Sequence, residues 1–128
     1  MTRQHASSDG PREERAGYSR AVRVADSVWV SGTTGTHPDG SVPSGAGAQA
    51  ALALDTIVAA LADLGATVAD VVFVRSYLVA IDRDSAEVGA ALGAHFHATR
   101  PAMAMVQVAR LRLPEHLVEF EVEAVVEG

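Results

Sequence analysis

The sequence predicts an α+β fold in which two helices cover one face of a mostly antiparallel sheet. Residues 118–126 alternate strictly between apolar side chains and glutamates, as in a strand with one buried face. Residues 45–64 carry apolar side chains at three- and four-residue spacing, as in an amphipathic helix. A chain of 128 residues is long enough for one domain with a single core. We therefore expect the order β-β-α-β-α-β-β in one domain at 16–128.

The first fifteen residues mix Ser, Asp, Gly, Pro and charged side chains without an apolar period. We interpret residues 1–15 as a flexible N-terminal arm. The domain then opens with two short strands, at 21–24 and 28–30, which a tight polar turn joins. A loop rich in Thr, Gly and Pro leads from the second strand to the first helix.

The first helix is predicted between Gly45 and Leu64, with Gly65 as its C-terminal cap. Residues 71–81 follow as a strand that is apolar on both faces, because Val71, Phe73 and Val79 alternate with Val72, Val74 and Leu78. Two helices cover only one face of a sheet. The other face of this strand therefore predicts a homo-oligomer.

The second helix is predicted from about Asp84 to His97, with Asp84 or Ser85 as its N-cap. The residue before a proline avoids the helical region, so Arg100 returns the chain to an extended conformation. Two strands complete the domain, one after Arg100 and one at 118–126.

Composition excludes several kinds of function. The formal charge of −6 and the pI near 5.2 disfavour nucleic acid or an anionic membrane as a partner. The chain has no cysteine, so thiolate chemistry is excluded. His95 and His97 stand two apart on a helix, which does not suit a shared metal ion, and we predict no metal site. Without an apolar secretory core at the N-terminus, we expect a cytoplasmic location.

The order of several motifs resembles the RidA family, also called YjgF/YER057c/UK114. The resemblance rests on Gly17-Tyr18, Val28-Trp-Val-Ser-Gly32, Arg100-Pro-Ala, Val106-Gln-Val-Ala and Val118-Glu-Phe-Glu-Val-Glu-Ala. It implies a chorismate-mutase-like fold and a homotrimer with small-molecule sites in the clefts between subunits. It also implies hydrolysis of enamines and imines without a cofactor.

The resemblance assigns roles to five residues. Glu121 corresponds to the acid that activates or positions water, and Tyr18 and Gly32 correspond to residues that bind the substrate. Met103 stands where archetypal members hold the substrate carboxylate with an arginine, and Met105 stands two residues later. The chain therefore looks like a divergent branch that lacks the substrate-binding arginine, with an apolar, adaptable lining at the two methionines. Ordinary core packing is the alternative role for both.

Other interpretations of the charged residues stay open. Alternation alone favours a solvated Glu121, like Glu119 and Glu123 on the same face. Arg75 and Arg100 are candidates to replace the missing cation, but an arginine at such a position is more often part of a surface ion pair.

The leading hypothesis is a trimeric enzyme that deaminates or tautomerises an enamine, imine or related carbonyl compound, with Glu121 moving protons or orienting water. The alternative is a small-ligand-binding trimer that has lost deaminase activity. The scattered arginines and acidic charge disfavour a third possibility, the endoribonuclease activity sometimes attached to this family.

Overall fold

The structure is a computed structural model that describes residues 2–8 and 10–127. Its strands and helices, in chain order, are β1 (Arg3–Ala6), α1 (Pro11–Ala16), β2 (Ala21–Val24), β3 (Ser27–Thr34), α2 (Ala46–Asp63), β4 (Val71–Leu78), α3 (Ile81–Phe96), β5 (Ala102–Gln107) and β6 (Val118–Val125). From β2 to β6 the order is the predicted one, and the α+β class is confirmed.

The six strands form one sheet in the order β1-β2-β3-β6-β4-β5. All neighbouring strands are antiparallel except β4 and β5, which α3 connects as parallel partners. We call the side under the helices the core face; it carries Val30, Val74, Leu78, Phe120 and Val122. The other side of the sheet is the open face, and β6 lies near its centre with Glu119, Glu121 and Glu123 pointing outward.

Helix α2 supplies much of the core. Leu54, Ile57 and Leu61 are fully buried. By length and composition alone, its 18 residues with a mean hydropathy of 1.3 would suffice to cross a membrane. Its apolar side chains instead pack against the sheet, which accounts for the hydropathy.

Two predicted boundaries are wrong. Helix α3 begins at Ile81 rather than at Asp84, and Ala80 is its N-cap. Asp84 lies in the first turn, where a carboxylate is also favourable, and there it is buried and accepts two hydrogen bonds from Arg83 at 2.8 Å. Strand β4 ends at Leu78, short of the predicted residue 81.

The predicted alternation, with Val71, Phe73 and Val79 on one face and Val72, Val74 and Leu78 on the other, is also wrong. A bulge between Val71 and Phe73 shifts the alternation, so Val71, Val74 and Leu78 are all buried under the helices. The open face of β4 carries Phe73 and then Arg75 and Tyr77, which are all partly exposed.

For the described residues, the prediction of a flexible arm at 1–15 is wrong. Met1 and Asp9 lie outside the described residues. Strand β1 pairs with β2, and α1 buries Glu13. Ser7 and Ser8 donate hydrogen bonds to the Glu13 carboxylate, and Arg20 lies 3.7 Å from its Oε2 atom. A strand of four residues and a helix of six are too short for a periodic pattern, so their order depends on contacts that sequence does not display.

Candidate functional site

The open face of β6 brings its glutamates against side chains of β4. In the register of the two strands, Glu121 lies opposite Arg75 and Glu119 lies opposite Tyr77. Residues opposite each other in an antiparallel pair share a face and contact each other. The register thus forms a row in which acids, an aromatic ring and a guanidinium alternate.

Glu121 is held in this row by Tyr77. The Tyr77 hydroxyl donates a hydrogen bond to Oε1 of Glu121. That hydrogen bond raises the pKa of Tyr77, and burial and the charge of Glu121 raise it further. Tyr77 therefore remains a donor over a wide pH range and fixes one oxygen of the carboxylate while the other can meet a ligand.

Arg75 lies on the same face as Glu121 but is engaged elsewhere. Its Nη1 atom lies 3.7 Å from Oε1 of Glu123, and its guanidinium carbon lies 4.5 Å from the centre of the Phe73 ring. The residue proposed as a replacement cation is thus near the predicted acid, in an ion pair and a cation–π contact of its own.

Glu119 is the acid with the most unusual environment. It is half-buried, and a Cβ atom built on Gly32 would lie only 2.9 Å from its Oε2 atom. Burial raises the pKa of Glu119, and Glu121 adds to the rise, while Arg20 and Arg12 oppose it by less. The expectation of a solvated Glu119 is wrong, because alternation assigns a side chain to a face and cannot tell how closely the neighbouring strand covers it.

A bulge in β3 creates this contact. Val30 pairs with Val122 and Thr33 pairs with Phe120, so two residues, Ser31 and Gly32, lie opposite the single residue between those partners. A bulge bends its strand and re-aims the backbone. With no side chain of its own, Gly32 lets the Glu119 carboxylate lie against the bulged backbone.

Arg20 joins two predicted substrate-binding residues. Its Nη1 atom donates to the Gly32 carbonyl at 2.8 Å and to Oγ1 of Thr33 at 3.1 Å. Its Nη2 atom donates to the Tyr18 hydroxyl at 3.4 Å. The structure therefore brings Tyr18 and Gly32 together through Arg20. Sequence reasoning missed Arg20, although its position two residues after Tyr18 and directly before β2 was an available signal.

Met103 and Met105 lie on the other face of the sheet. They pair with Val74 and Ser76 of β4, which are buried under the helices. Because β5 is an edge strand, Met103 remains 45% exposed, whereas Met105 packs partly against the core. Within one chain, the structure therefore does not bring either methionine to Glu121.

Arg100 lies apart from the acids. The prediction that Arg100 is extended is wrong, because its φ of 56° is positive. It is exposed after α3, and its backbone N–H donates to the Phe96 carbonyl at 2.8 Å. This hydrogen bond caps the C-terminal end of α3. Among residues 2–8 and 10–127, no group of three or more His, Asp or Glu side chains is placed to hold a metal ion.

Comparisons with known proteins agree with the motifs. The family model described as Endoribonuclease L-PSP matches residues 11–126. The Streptomyces coelicolor protein SCO2049 is 36% identical over 118 residues, which cover 91% of this chain and 87% of that protein.

Solved structures give the same result. The structure of Rv2704 from Mycobacterium tuberculosis, described as a member of the YjgF/YER057c/UK114 family, has a TM-score of 0.88 and 42% identity, and the match covers 98% of this chain and 100% of that one. Escherichia coli TdcF, solved with bound serine, has a TM-score of 0.81 and 27% identity, and the match covers 96% and 94% of the two chains. The chain therefore belongs to the YjgF/YER057c/UK114 family, which is also called the RidA family.

Proposed function

We propose that this protein is a homotrimeric enzyme that hydrolyses an enamine or imine in clefts between its subunits, without a cofactor. The observation that carries the proposal is the position of Glu121. It lies on the open face of the sheet, and Tyr77 orients its carboxylate. It also corresponds to the family acid that handles water.

The open face supports self-association. Trp29 and Val106 are each 47% exposed, and Val125 is 44% exposed, although all three are large apolar side chains on this face. Exposed apolar residues that share one face favour a protein partner. A second copy of the chain is the partner that the family relationship favours.

The opposite faces of Met103 and Glu121 support a site made by two chains. Met103 stands at the family's substrate-binding position, yet β5 directs it away from the Glu121 face of its own sheet. A cleft that contains both positions needs Met103 from one subunit and Glu121 from another. The same site would then include Gly32, which lies on the Glu121 side, and Tyr18, which Arg20 links to Gly32.

The proposed reaction needs few groups. Protonation of an enamine at carbon gives the iminium ion, and water then adds to the carbon of its C=N bond. The C–N bond of the adduct breaks, and the products are a carbonyl compound and ammonia. Glu121 accepts a proton from the attacking water and returns one to the departing nitrogen, as a general base and then a general acid.

Imine hydrolysis in a coupled oxidase assay tests the proposal. An amine oxidase or an amino-acid oxidase generates the imine, and the carbonyl product is followed with and without the protein. We expect Glu121→Gln to abolish the acceleration while the protein stays folded and trimeric. A mass in solution equal to one chain of 13.3 kDa, or an acceleration that Glu121→Gln leaves intact, would contradict the proposal.

The second candidate function is ligand binding without turnover. The methionine at position 103 favours it, because an arginine at that position would hold a substrate carboxylate through two parallel hydrogen bonds. Saturable binding of a small carbonyl or amine compound, with no acceleration of any imine, would support this function instead.

Partners and location complete the proposal. A net charge of −6 is unfavourable for RNA, so we propose that the endoribonuclease activity in the family's description is absent here. We also propose a cytoplasmic protein with no membrane partner. Retention on RNA at physiological salt would contradict the first of these statements.

A further inference from the structure

We propose that Glu119 determines the substrate class of this site, and that it selects a neutral or cationic nitrogen compound that carries no carboxylate group. This inference rests on the proposed function, since it concerns the same cleft. It goes further by assigning a specificity-determining role to a residue outside the family's set of site residues.

The Glu119 carboxyl group lies beside Gly32, at the position where a ligand would approach the Gly32 backbone. Its Oε2 atom lies so close to the Gly32 backbone that a Cβ atom there would be 2.9 Å away. Glu121 is two residues further along β6 on the same face. A substrate that reaches both Gly32 and Glu121 therefore meets the Glu119 carboxyl group on its way.

The nearby arginines are committed to other groups. Arg20 is 11% exposed and donates to the Gly32 carbonyl, and it lies 3.7 Å from Glu13. Arg75 is paired with Glu123. Arg20 cannot turn toward a substrate carboxylate without leaving buried partners unpaired, and Arg75 would have to leave an exposed ion pair and the Phe73 ring.

Arg12 is the second cation, after Arg20, that acts on Glu119, and its effect is the smaller of the two. The pKa of Glu119 is raised by burial first and by Glu121 second, and together these outweigh Arg20 and Arg12. A position that disfavours the negative charge of its own side chain disfavours a second anion more strongly. Burial penalises a charge of either sign at this position, but the negative charge of Glu121 favours a cation over a second anion.

The neighbouring side chains suit an ammonium or iminium group. The Tyr18 ring lies 5.5 Å from the guanidinium carbon of Arg20, and the Phe73 ring lies 4.5 Å from that of Arg75. Aromatic faces beside carboxylates are a recurring environment for organic cations. The chain already binds two of its own cations on aromatic faces.

A matched pair of ligands tests the inference. The full-length protein is titrated with 2-phenylethylamine and with 3-phenylpropionate, which share a ring and a two-carbon chain and differ in the charged group. We expect the amine to bind at least about tenfold more tightly, as for one charge-assisted hydrogen bond. Equal binding, tighter binding of the carboxylate, or binding of neither compound would overturn the inference.

Two variants test whether Glu119 causes the preference for the amine. Glu119→Gln keeps the size of the side chain and removes its charge, and it should reduce the preference for the amine by about tenfold. Glu14→Gln removes the same charge from an exposed position of α1 and should leave the preference intact. A preference that survives Glu119→Gln would show that another group sets the substrate class.

Turnover separates this inference from the proposed function. The imine that an amine oxidase forms from 2-phenylethylamine lacks the carboxylate of the imino acid that an amino-acid oxidase forms from phenylalanine. Faster hydrolysis of the first imine supports both proposals. Faster hydrolysis of the imino acid overturns the specificity and leaves the reaction standing. Hydrolysis of neither, with the binding preference intact, overturns the reaction and leaves the specificity standing.

Discussion

The backbone of Gly35 lies directly against the backbone of Gln49. A Cβ atom at residue 35 would be 2.3 Å from the Gln49 carbonyl oxygen and 2.6 Å from its Cα atom. Gln49 cannot retreat, because its side chain bonds to Pro43, Glu115 and Leu117. We expect Gly35→Ala to lower the free energy of unfolding by about 1–3 kcal/mol, measured by urea denaturation.

Gly32→Ala is the control for this effect. The three atoms nearest to a Cβ atom at residue 32 all belong to the end of the Glu119 side chain, which can rotate away. We expect a loss of less than about 1.5 kcal/mol, as for other mild steric changes. A loss as large as that of Gly35→Ala would show that the Glu119 carboxylate is fixed in place.

Glu13 should be a major source of stability for the N-terminal segment. It is buried, and it bonds to two serines beside Arg20. Glu13→Ala leaves Arg20 without its carboxylate, and removal of one partner of a buried ion pair costs about 3–5 kcal/mol. Because Arg20 remains partly accessible, we expect the lower end of that range in urea denaturation.

Acid should remove the same contribution. Burial raises the pKa of Glu13. The hydrogen bonds from Ser8 and Ser7 and the charge of Arg20 lower it, and together they outweigh burial, so the pKa lies below 4.5. The stabilisation is therefore complete above pH 4.5 and is lost as the pH falls through the folded-state pKa. Glu14→Ala, on the exposed side of α1, should leave this acid dependence unchanged.

His116 should make stability fall at mildly acid pH. It is 1% exposed, and Thr36 bonds to its Nε2 atom at 3.0 Å. Burial and the charge of Arg12 lower its pKa below 6.5, and the opposing effect of Glu115 is smaller. The unfolded chain binds the proton more readily, so stability is lost as the pH drops below 6.5 and toward the folded-state pKa.

Urea denaturation above and below pH 6.5 measures this loss in the native protein and in His116→Gln. The variant is expected to be less stable at both pH values, because it disturbs a buried site, and to depend less on pH between them. An equal pH dependence in the two proteins would contradict the assignment.

Tyr77 offers a direct optical readout of Glu121. The chain has two tyrosines, so Tyr18→Phe leaves Tyr77 as the only one that ionises. Its pKa is raised above 10.0, mainly by the hydrogen bond to Glu121. We expect the phenolate absorbance to appear above pH 10.0 and to appear at lower pH after Glu121→Gln. If Glu121→Gln leaves the midpoint of Tyr77 ionisation unchanged, Tyr77 and Glu121 are not hydrogen-bonded.

Periodicity predicted the parts of the fold that are long and amphipathic. Helix α2 and strand β6 match their predicted patterns because each presents one continuous apolar face to the core. The bulge between Val71 and Phe73 was not predictable, because an extra residue leaves no mark in a run of apolar side chains. Glu13 likewise gave no signal, since an acid looks the same in a sequence whether it is buried or exposed.

The site was predictable only in part. Motif order indicated Tyr18, Gly32 and Glu121. The structure places Gly32 beside the open face that carries Glu121, and Arg20 links Tyr18 to Gly32. Arg20 and Glu119 were missed because their importance comes from contacts across strands. Those contacts depend on the register of β3 against β6, which the β3 bulge sets and sequence spacing does not reveal.

The alternation of β6 separates what keeps the protein folded from what it can recognise. Every second residue, from Val118 to Ala124, is buried in the core, and the residues between them face outward. Point substitutions at the outward positions can therefore change a binding preference while the interior stays intact. Insertion or deletion of one residue within the strand would exchange the two faces and disrupt both at once. Evolution of new specificity along this strand is thus open to substitutions, whereas a change in length needs a bulge, like those in β3 and β4, to keep the two faces in place.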